Sequence, residues 1–282
     1  PKPRSVGSST RLSEGAGSAG LSQHNCVIIG AMLAIGFFVV ALIYSAVGFG
    51  GGSTYIALLA LSDYSAEVVP LIALPCNIAV VSVGSYLAVH RRDFDWRLSV
   101  PFFVASVPMA FVGGLIPLDA TVYFLLLGLS LAIAGVSLIV RTAPDGATTL
   151  GARGWGLASV IGGGLGLLSG MVGIGGGIIL APILHHLPWA SSKTIAALCS
   201  FFILINSLSG LAGQTLKTGT DSAISGLYEA IPLLFAVVLG GVVGGRFVIE
   251  GVANQRVAQL TGLLVLLVGL RILWAWSSYL YV

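Results

Sequence analysis

The sequence predicts an all-α, polytopic membrane protein of about eight transmembrane helices plus two short broken or re-entrant helices, built from two internal repeats. Three observations predict it. Charged residues make up 8% of the 282-residue chain and hydrophobic residues 56%, with mean hydropathy +1.02. A soluble domain carries roughly a quarter charged residues, so this chain cannot cover a water-facing surface. Uncharged runs of about twenty residues, the length that spans a hydrocarbon core, recur along the chain. A glycine pattern, V-G-x-G-G-G, occurs at Val47-Gly48-Phe49-Gly50-Gly51-Gly52 and again at Val172-Gly173-Ile174-Gly175-Gly176-Gly177.

Taken in order, residues 1–25 form a polar Ser- and Gly-rich tail with Lys2, Arg4 and Arg11, of the composition that stays disordered. The apolar run after it starts late and is as long as a span, so it reads as a retained first helix and not a cleaved signal. Expected spans are Val27–Val47, Val68–Val89, Leu98–Leu118 and Ala120–Val140 in a first repeat over residues 26–141. A linker, residues 142–153, follows. The second repeat, residues 154–282, gives Gly154–Leu184, which is too long for one simple span, then Thr194–Leu216, Ser222–Gly245 and Val257–Val282. After each glycine cluster stands a short apolar segment, Ser53–Leu61 and Ile178–Leu187, long enough for about half the hydrocarbon core.

The duplication rests on several landmarks in one order. Ala73-Leu74 matches Ala197-Leu198, Pro101 matches Pro232, Val112-Gly113-Gly114 matches Val243-Gly244-Gly245, and Gly128 and Gly135 match Gly262 and Gly269. The basic connection His90–Arg97 and the residues Arg141 and Arg153 belong in the cytoplasm by the positive-inside rule. With eight spans both termini lie there too. If the short segments cross as well, each half has five spans and the repeats are inverted.

Backbone polar groups are not left unpaired in lipid. A helix broken by G-x-G-G-G therefore belongs inside protein or beside a water-filled cavity, as in carriers whose two repeats each break a helix near the midplane. The half-helix that follows begins with free N–H groups and the positive end of its dipole, an anion site. Candidate substrate-binding residues are Gly50, Gly51, Gly52 and Ser53 at the first cluster and Gly175, Gly176 and Gly177 at the second. Ile178 stands where Ser53 does, so the two halves of the site differ. Asn77 and Asn206 offer amide donors, and Arg246 and Arg271 are charges within spans, which are functional candidates by default. Lys193 and Glu229 read as solvated, and Tyr55 as an added hydroxyl donor. Pro75, Pro101, Pro108, Pro182 and Pro232 read as kinks or flexible points within the spans.

Other classes find little support. The basic residues form no continuous face for nucleic acid. Cys26, Cys76 and Cys199 show no C-x-x-C spacing, and His185-His186 has no ligating partner nearby, so neither a metal nor a cofactor is expected. There is no Walker motif, G-x-S-x-G or H-E-x-x-H, so neither ATP hydrolysis nor intramembrane catalysis is indicated.

The paired G-x-G-G-G motifs, the second followed by Ala181-Pro182-Ile183-Leu184, resemble the TauE/SafE family over about residues 27–275. The first cluster departs from that pattern, leading through Ser53-Thr54-Tyr55-Ile56 into Ala57 where the second leads to Pro182. The resemblance implies export of small sulfur-containing anions such as sulfite, sulfonates or thiosulfate. The expected protein is thus a multi-pass secondary transporter of a bacterial inner membrane, with the bilayer and a small anion as partners and protons as a possible coupling ion. The alternatives are an anion channel on the same site and a membrane subunit that transports nothing itself.

Overall fold

A computed structural model describes residues 30–45, 50–62, 64–140, 152–185, 187, 189–246 and 254–279. The tail expected at 1–25, the linker at 142–153 apart from its last two residues, Val47–Phe49 of the first cluster and His186 lie outside the described residues. The described elements are all helical: α1 (Gly30–Ser45), α2 (Gly52–Ala60), α3 (Val68–His90), α4 (Trp96–Leu115), α5 (Ala120–Ile139), α6 (Ala152–Val172), α7 (Gly177–His185), α8 (Ser192–Thr218), α9 (Thr220–Arg246) and α10 (Asn254–Tyr279). The overlong apolar run at 154–184 resolves into α6 and α7, parted by the second glycine cluster. Six helices, α3, α4, α5, α6, α8 and α9, are long and apolar enough to cross a bilayer, while the described apolar parts of α1 and α10 are shorter.

Local chemistry sets the ends. Asp95 caps α4 by accepting from the N–H groups of Arg97 (2.9 Å) and Leu98 (3.4 Å). Ser191 caps α8 through Thr194 N–H at 3.3 Å, and Gly219, with φ +85°, ends that helix.

Small residues decide how the helices cross. On α6, Gly162, Gly166 and Gly170 lie directly on the backbone of Phe102, Ser106 and Ala110 of α4, so these two helices run parallel. On α9, Gly240 and Gly244 lie in the same way on Phe38 and Leu42 of α1, again parallel. Gly128 meets Gly269 and Gly135 meets Gly262, in opposite order along the chain, so α5 and α10 are antiparallel. A Cβ on Gly135 would stand 2.6 Å from the Leu266 amide nitrogen and 2.7 Å from the Gly262 carbonyl oxygen. Backbone on both sides leaves no side chain to yield. Gly135→Ala is therefore expected to cost about 1–3 kcal/mol, read as a lower melting temperature of the detergent-purified protein. An unchanged melt would contradict this packing.

These registers fix helix directions. Arg91 and Arg92 in the connection between α3 and α4, with Arg97 in the first turn of α4, mark one face of the bundle as basic. Helices α1, α3, α5, α7 and α9 run toward that face, and α2, α4, α6, α8 and α10 run away from it. Here the fold differs from the eight-span expectation, which set both termini at the basic face. Helix α1 begins, and α10 ends, at the opposite face. The cause is that α2 and α7 each reverse the chain: Phe37 stacks on Tyr55 with ring centroids 4.5 Å apart, pairing α2 antiparallel to α1.

Candidate functional site at the paired helix breaks

Each glycine cluster turns the chain from a long helix into a helix of nine residues, α2 or α7. The two clusters need glycine for different reasons. At the second, Gly173, Gly175 and Gly176 have φ of +86°, +84° and +74°, the left-handed region that costs any residue with a Cβ. At the first, Gly51 has φ −83°, and what glycine supplies is room. A Cβ on Gly50 would strike the Asn77 Oδ1, and one on Gly52 would lie 2.7 Å from Asn77 Nδ2 and 2.8 Å from the Ile174 carbonyl oxygen.

Asn77 ties the two breaks together. It sits on α3 one turn past Ala73, wholly buried. Its Oδ1 accepts from the Gly52 N–H at 3.2 Å, the first amide of α2. Its Nδ2 donates to the Ile174 carbonyl of the other break at 3.4 Å and to the Ser207 hydroxyl of α8 at 3.1 Å. Gly175 lies against the same amide, its Cβ direction 2.6 Å from Asn77 Nδ2. One side chain thus meets both clusters and both long central helices. Its donors and its acceptor are engaged by the protein, so Asn77 holds the junction and does not itself present a free donor.

The carbonyls left over where α6 ends are also accounted for. A helix leaves its last four carbonyls without intrahelical partners, and burying them unpaired costs about as much as losing a hydrogen bond. The Gly173 N–H donates to the Ser169 carbonyl at 2.7 Å. Gln214 Nε2 of α8 donates to the Gly170 carbonyl at 2.9 Å and approaches that of Met171 at 3.5 Å. The Tyr123 hydroxyl of α5 donates to the Val172 carbonyl at 3.2 Å. Neither Gln214 nor Tyr123 was legible as part of the site, because a single polar residue in an apolar helix does not say which carbonyl it reaches.

Three buried hydroxyls at the junction, those of Ser53, of Tyr55 against Gly51, and of Ser169, lack well-formed hydrogen bonds. Ser53 stands in the first turn of α2, beside Tyr44, whose hydroxyl pairs with that of Thr54 at 2.7 Å. Ser169 stands beside Gly176 at the other break. All three have donors to offer. Residues Gly50–Ser53 and Gly173–Gly177 are all buried, so the junction is sealed from both faces.

The remaining expected contacts divide. Asn206 is buried on α8, where its Nδ2 donates to the Phe202 carbonyl one turn back at 2.8 Å; its Oδ1, an acceptor, is left unpaired. Arg246 ends α9 at the basic face, and its side chain lies outside the described residues. Arg271 is not at the breaks: it is exposed on α10 and lines a separate cavity at the far end of α2. Lys193 and Glu229 are exposed, as the sequence suggests. Among the described residues no cluster of three His, Cys, Asp or Glu is placed to hold a metal ion.

A bundle of apolar helices around two broken ones, whose half-helices start from one buried junction, is an arrangement used by membrane transporters. The comparisons agree with that class. Residues 32–272 match the family described as Sulfite exporter TauE/SafE, and the chain belongs to that family of membrane transporters. It is 31% identical over 252 residues to a probable membrane transporter protein, y4hK, of Sinorhizobium fredii, covering 86% of this chain and 97% of that one. No solved structure matches the chain significantly.

Proposed function

We propose that this transporter carries small anions such as sulfite, sulfonates or thiosulfate, and that the anion binds where the two glycine breaks meet. The observation that carries this reading is the meeting of the two breaks at Asn77, which accepts from the first N–H of α2 and donates to the Ile174 carbonyl just ahead of α7, with the buried hydroxyls of Ser53 at one break and Ser169 at the other lacking well-formed hydrogen bonds. Helix N-termini bring partial positive charge and free N–H groups, and hydroxyls add donors without fixed charge. The sulfur chemistry comes from the family, whose description names sulfite.

The two halves, residues 26–141 and 154–282, act in this reading as inverted repeats joined by residues 142–153. Helix pairing supports it. Helix α9 packs on α1 as α4 packs on α6; α10 packs on α2 as α5 on α7; α9 packs on α3 as α4 on α8. Exchanging the halves leaves that scheme unchanged, with α5–α10 and α3–α8 as the self-paired contacts. Rocking one half against the other would open the sealed junction to each face in turn. Arg91, Arg92, Arg97, Lys193 and Arg246 all sit at the basic face, which is therefore cytoplasmic, with Lys217 and Arg271 toward the other.

Uptake of radiolabelled sulfite into proteoliposomes tests the proposal. The wild type is expected to show saturable uptake that is stimulated by unlabelled sulfite inside, which a channel does not give. Ser53→Ala combined with Ser169→Ala is expected to raise KM by about tenfold or more, the loss of two hydrogen bonds to a charged group. Uptake that never saturates, or an unchanged KM in the double variant, would overturn the assignment.

A further inference from the structure

At the far face, the C-terminal end of α2, the first turn of α5 and the last turns of α10 enclose a cavity of about 650 Å³. It lies eight residues along α2 from the Gly52 break, about 12 Å at 1.5 Å per residue. Its polar lining is a set of donors. Arg271 lines it, and among the described residues no carboxylate pairs with that guanidinium. Trp276 lines it, and its indole N–H is buried with no hydrogen-bond partner among those residues. The hydroxyls of Thr121 and Tyr64 stand on the same wall. Several acceptors nearby in the chain are already engaged. The carbonyls of Ala57, Leu58 and Leu59 near the end of α2 are taken by the Leu61 N–H (3.0 Å), the Ser62 hydroxyl (2.8 Å) and the Ser62 N–H (3.0 Å). Asp119 precedes α5 but is not part of the lining. The rest of the wall, Phe124 and Ile272 among it, is apolar.

We propose that this cavity is a second binding site, for an anion with an apolar body, on the face opposite the basic loops. Arg271 would hold the charged head, the Trp276 N–H would donate to it, and the apolar wall would take the tail. Volume separates this ligand from the one at the breaks. A water molecule takes about 30 Å³ of liquid volume, and an anion of four heavy atoms roughly a few times that. A cavity of about 650 Å³ falls in the range of sites that hold drug-sized organic ligands. The repeat offers no second copy, since Ser137 of α5 stands where α10 has Arg271, so the site belongs to one face only. The shared chemistry, a single anionic head on an apolar body, fits a soluble alkanesulfonate and equally an anionic lipid. The proposal does not depend on the central site.

The test uses full-length protein in nanodiscs and hexanesulfonate as the soluble probe, with binding followed by calorimetry in phosphatidylcholine. Native mass spectrometry of protein taken from phosphatidylglycerol reads retained anionic lipid. Arg271 is exposed, so Arg271→Gln leaves the core intact, which a thermal melt checks; Arg271→Lys keeps the charge. Saturable hexanesulfonate binding that weakens about tenfold or more in Arg271→Gln, less in Arg271→Lys, and a few-fold in Trp276→Phe, supports the site with a soluble ligand. Retained phosphatidylglycerol that is lost in Arg271→Gln supports it with a lipid ligand. Wild type and Arg271→Gln equal in both measurements would overturn the proposal. Sulfite uptake is read separately, so a failure here leaves the central site untouched, and the reverse.

Discussion

Asn77→Leu is expected to abolish transport and to lower stability more than any other single substitution in α3. The replacement removes three hydrogen bonds at one point, and two of the partners are backbone groups: the Gly52 N–H and the Ile174 carbonyl. Both are buried and belong to segments with no helical alternative. A buried group left without its partner costs about 1–3 kcal/mol, so the two together are worth several times the net gain of an ordinary hydrogen bond. Leucine has the same branching and number of side-chain heavy atoms as asparagine, so it leaves no cavity, but its methyls are bulkier than the amide atoms they replace. Asn77→Asp sharpens the test, since its carboxylate keeps the acceptor for Gly52 but loses both donors and faces the Ile174 carbonyl with negative charge. Thermal unfolding of purified variants, with sulfite uptake alongside, reads both. If Asn77→Leu melts and transports like the wild type, Asn77 is not the tie between the breaks.

The second large effect is at Gly175. Alanine there meets two independent costs: a backbone held at φ +84° and a Cβ 2.6 Å from Asn77 Nδ2. The conformation alone costs about 1–2 kcal/mol, and the contact forces the Asn77 amide out of its bonds. Gly164, on α6, is the contrasting position. It is helical and exposed, and a Cβ on it has nothing within 4 Å. Gly164→Ala is therefore expected to be neutral or stabilising by about 0.5–1 kcal/mol. Both are glycines of one glycine-rich stretch, yet the structure assigns them opposite outcomes.

Much of this is visible in the sequence because membrane helices advertise themselves. The breaks were legible because V-G-x-G-G-G is a pattern that an uninterrupted helix has no use for, and both clusters do part a long helix from a short one. Chain direction was not. A nine-residue apolar segment has too little length for hydropathy to say whether it returns or crosses, and each one changes the parity of every helix after it. Among the site residues, Asn77 was found as a polar residue in the middle of a span, but its partners across three other segments were not readable. Arg271 was misplaced for a related reason. Its position along α10 was clear from sequence, but the face of the helix it occupies depends on the Gly128–Gly269 and Gly135–Gly262 contacts that set how α10 is turned. Tyr123, Ser169, Ser207 and Gln214 escaped notice because a lone hydroxyl or amide in a span usually does no more than bond a nearby backbone carbonyl, whereas here Tyr123 and Gln214 reach the end of another helix, Ser207 accepts from Asn77 and Ser169 has no partner among the described residues.

The central claim is that the glycine breaks form the anion site, and one comparison tests it most directly: initial rates of radiolabelled sulfite uptake in proteoliposomes holding wild type, Gly164→Ala or Gly175→Ala at equal, folded amounts. The account predicts saturable uptake by the wild type and by Gly164→Ala, and uptake at the protein-free background by Gly175→Ala. Uptake by Gly175→Ala with the wild-type KM, or no uptake of sulfite, thiosulfate or small sulfonates by the wild type, would contradict it and leave the paired glycines as packing residues.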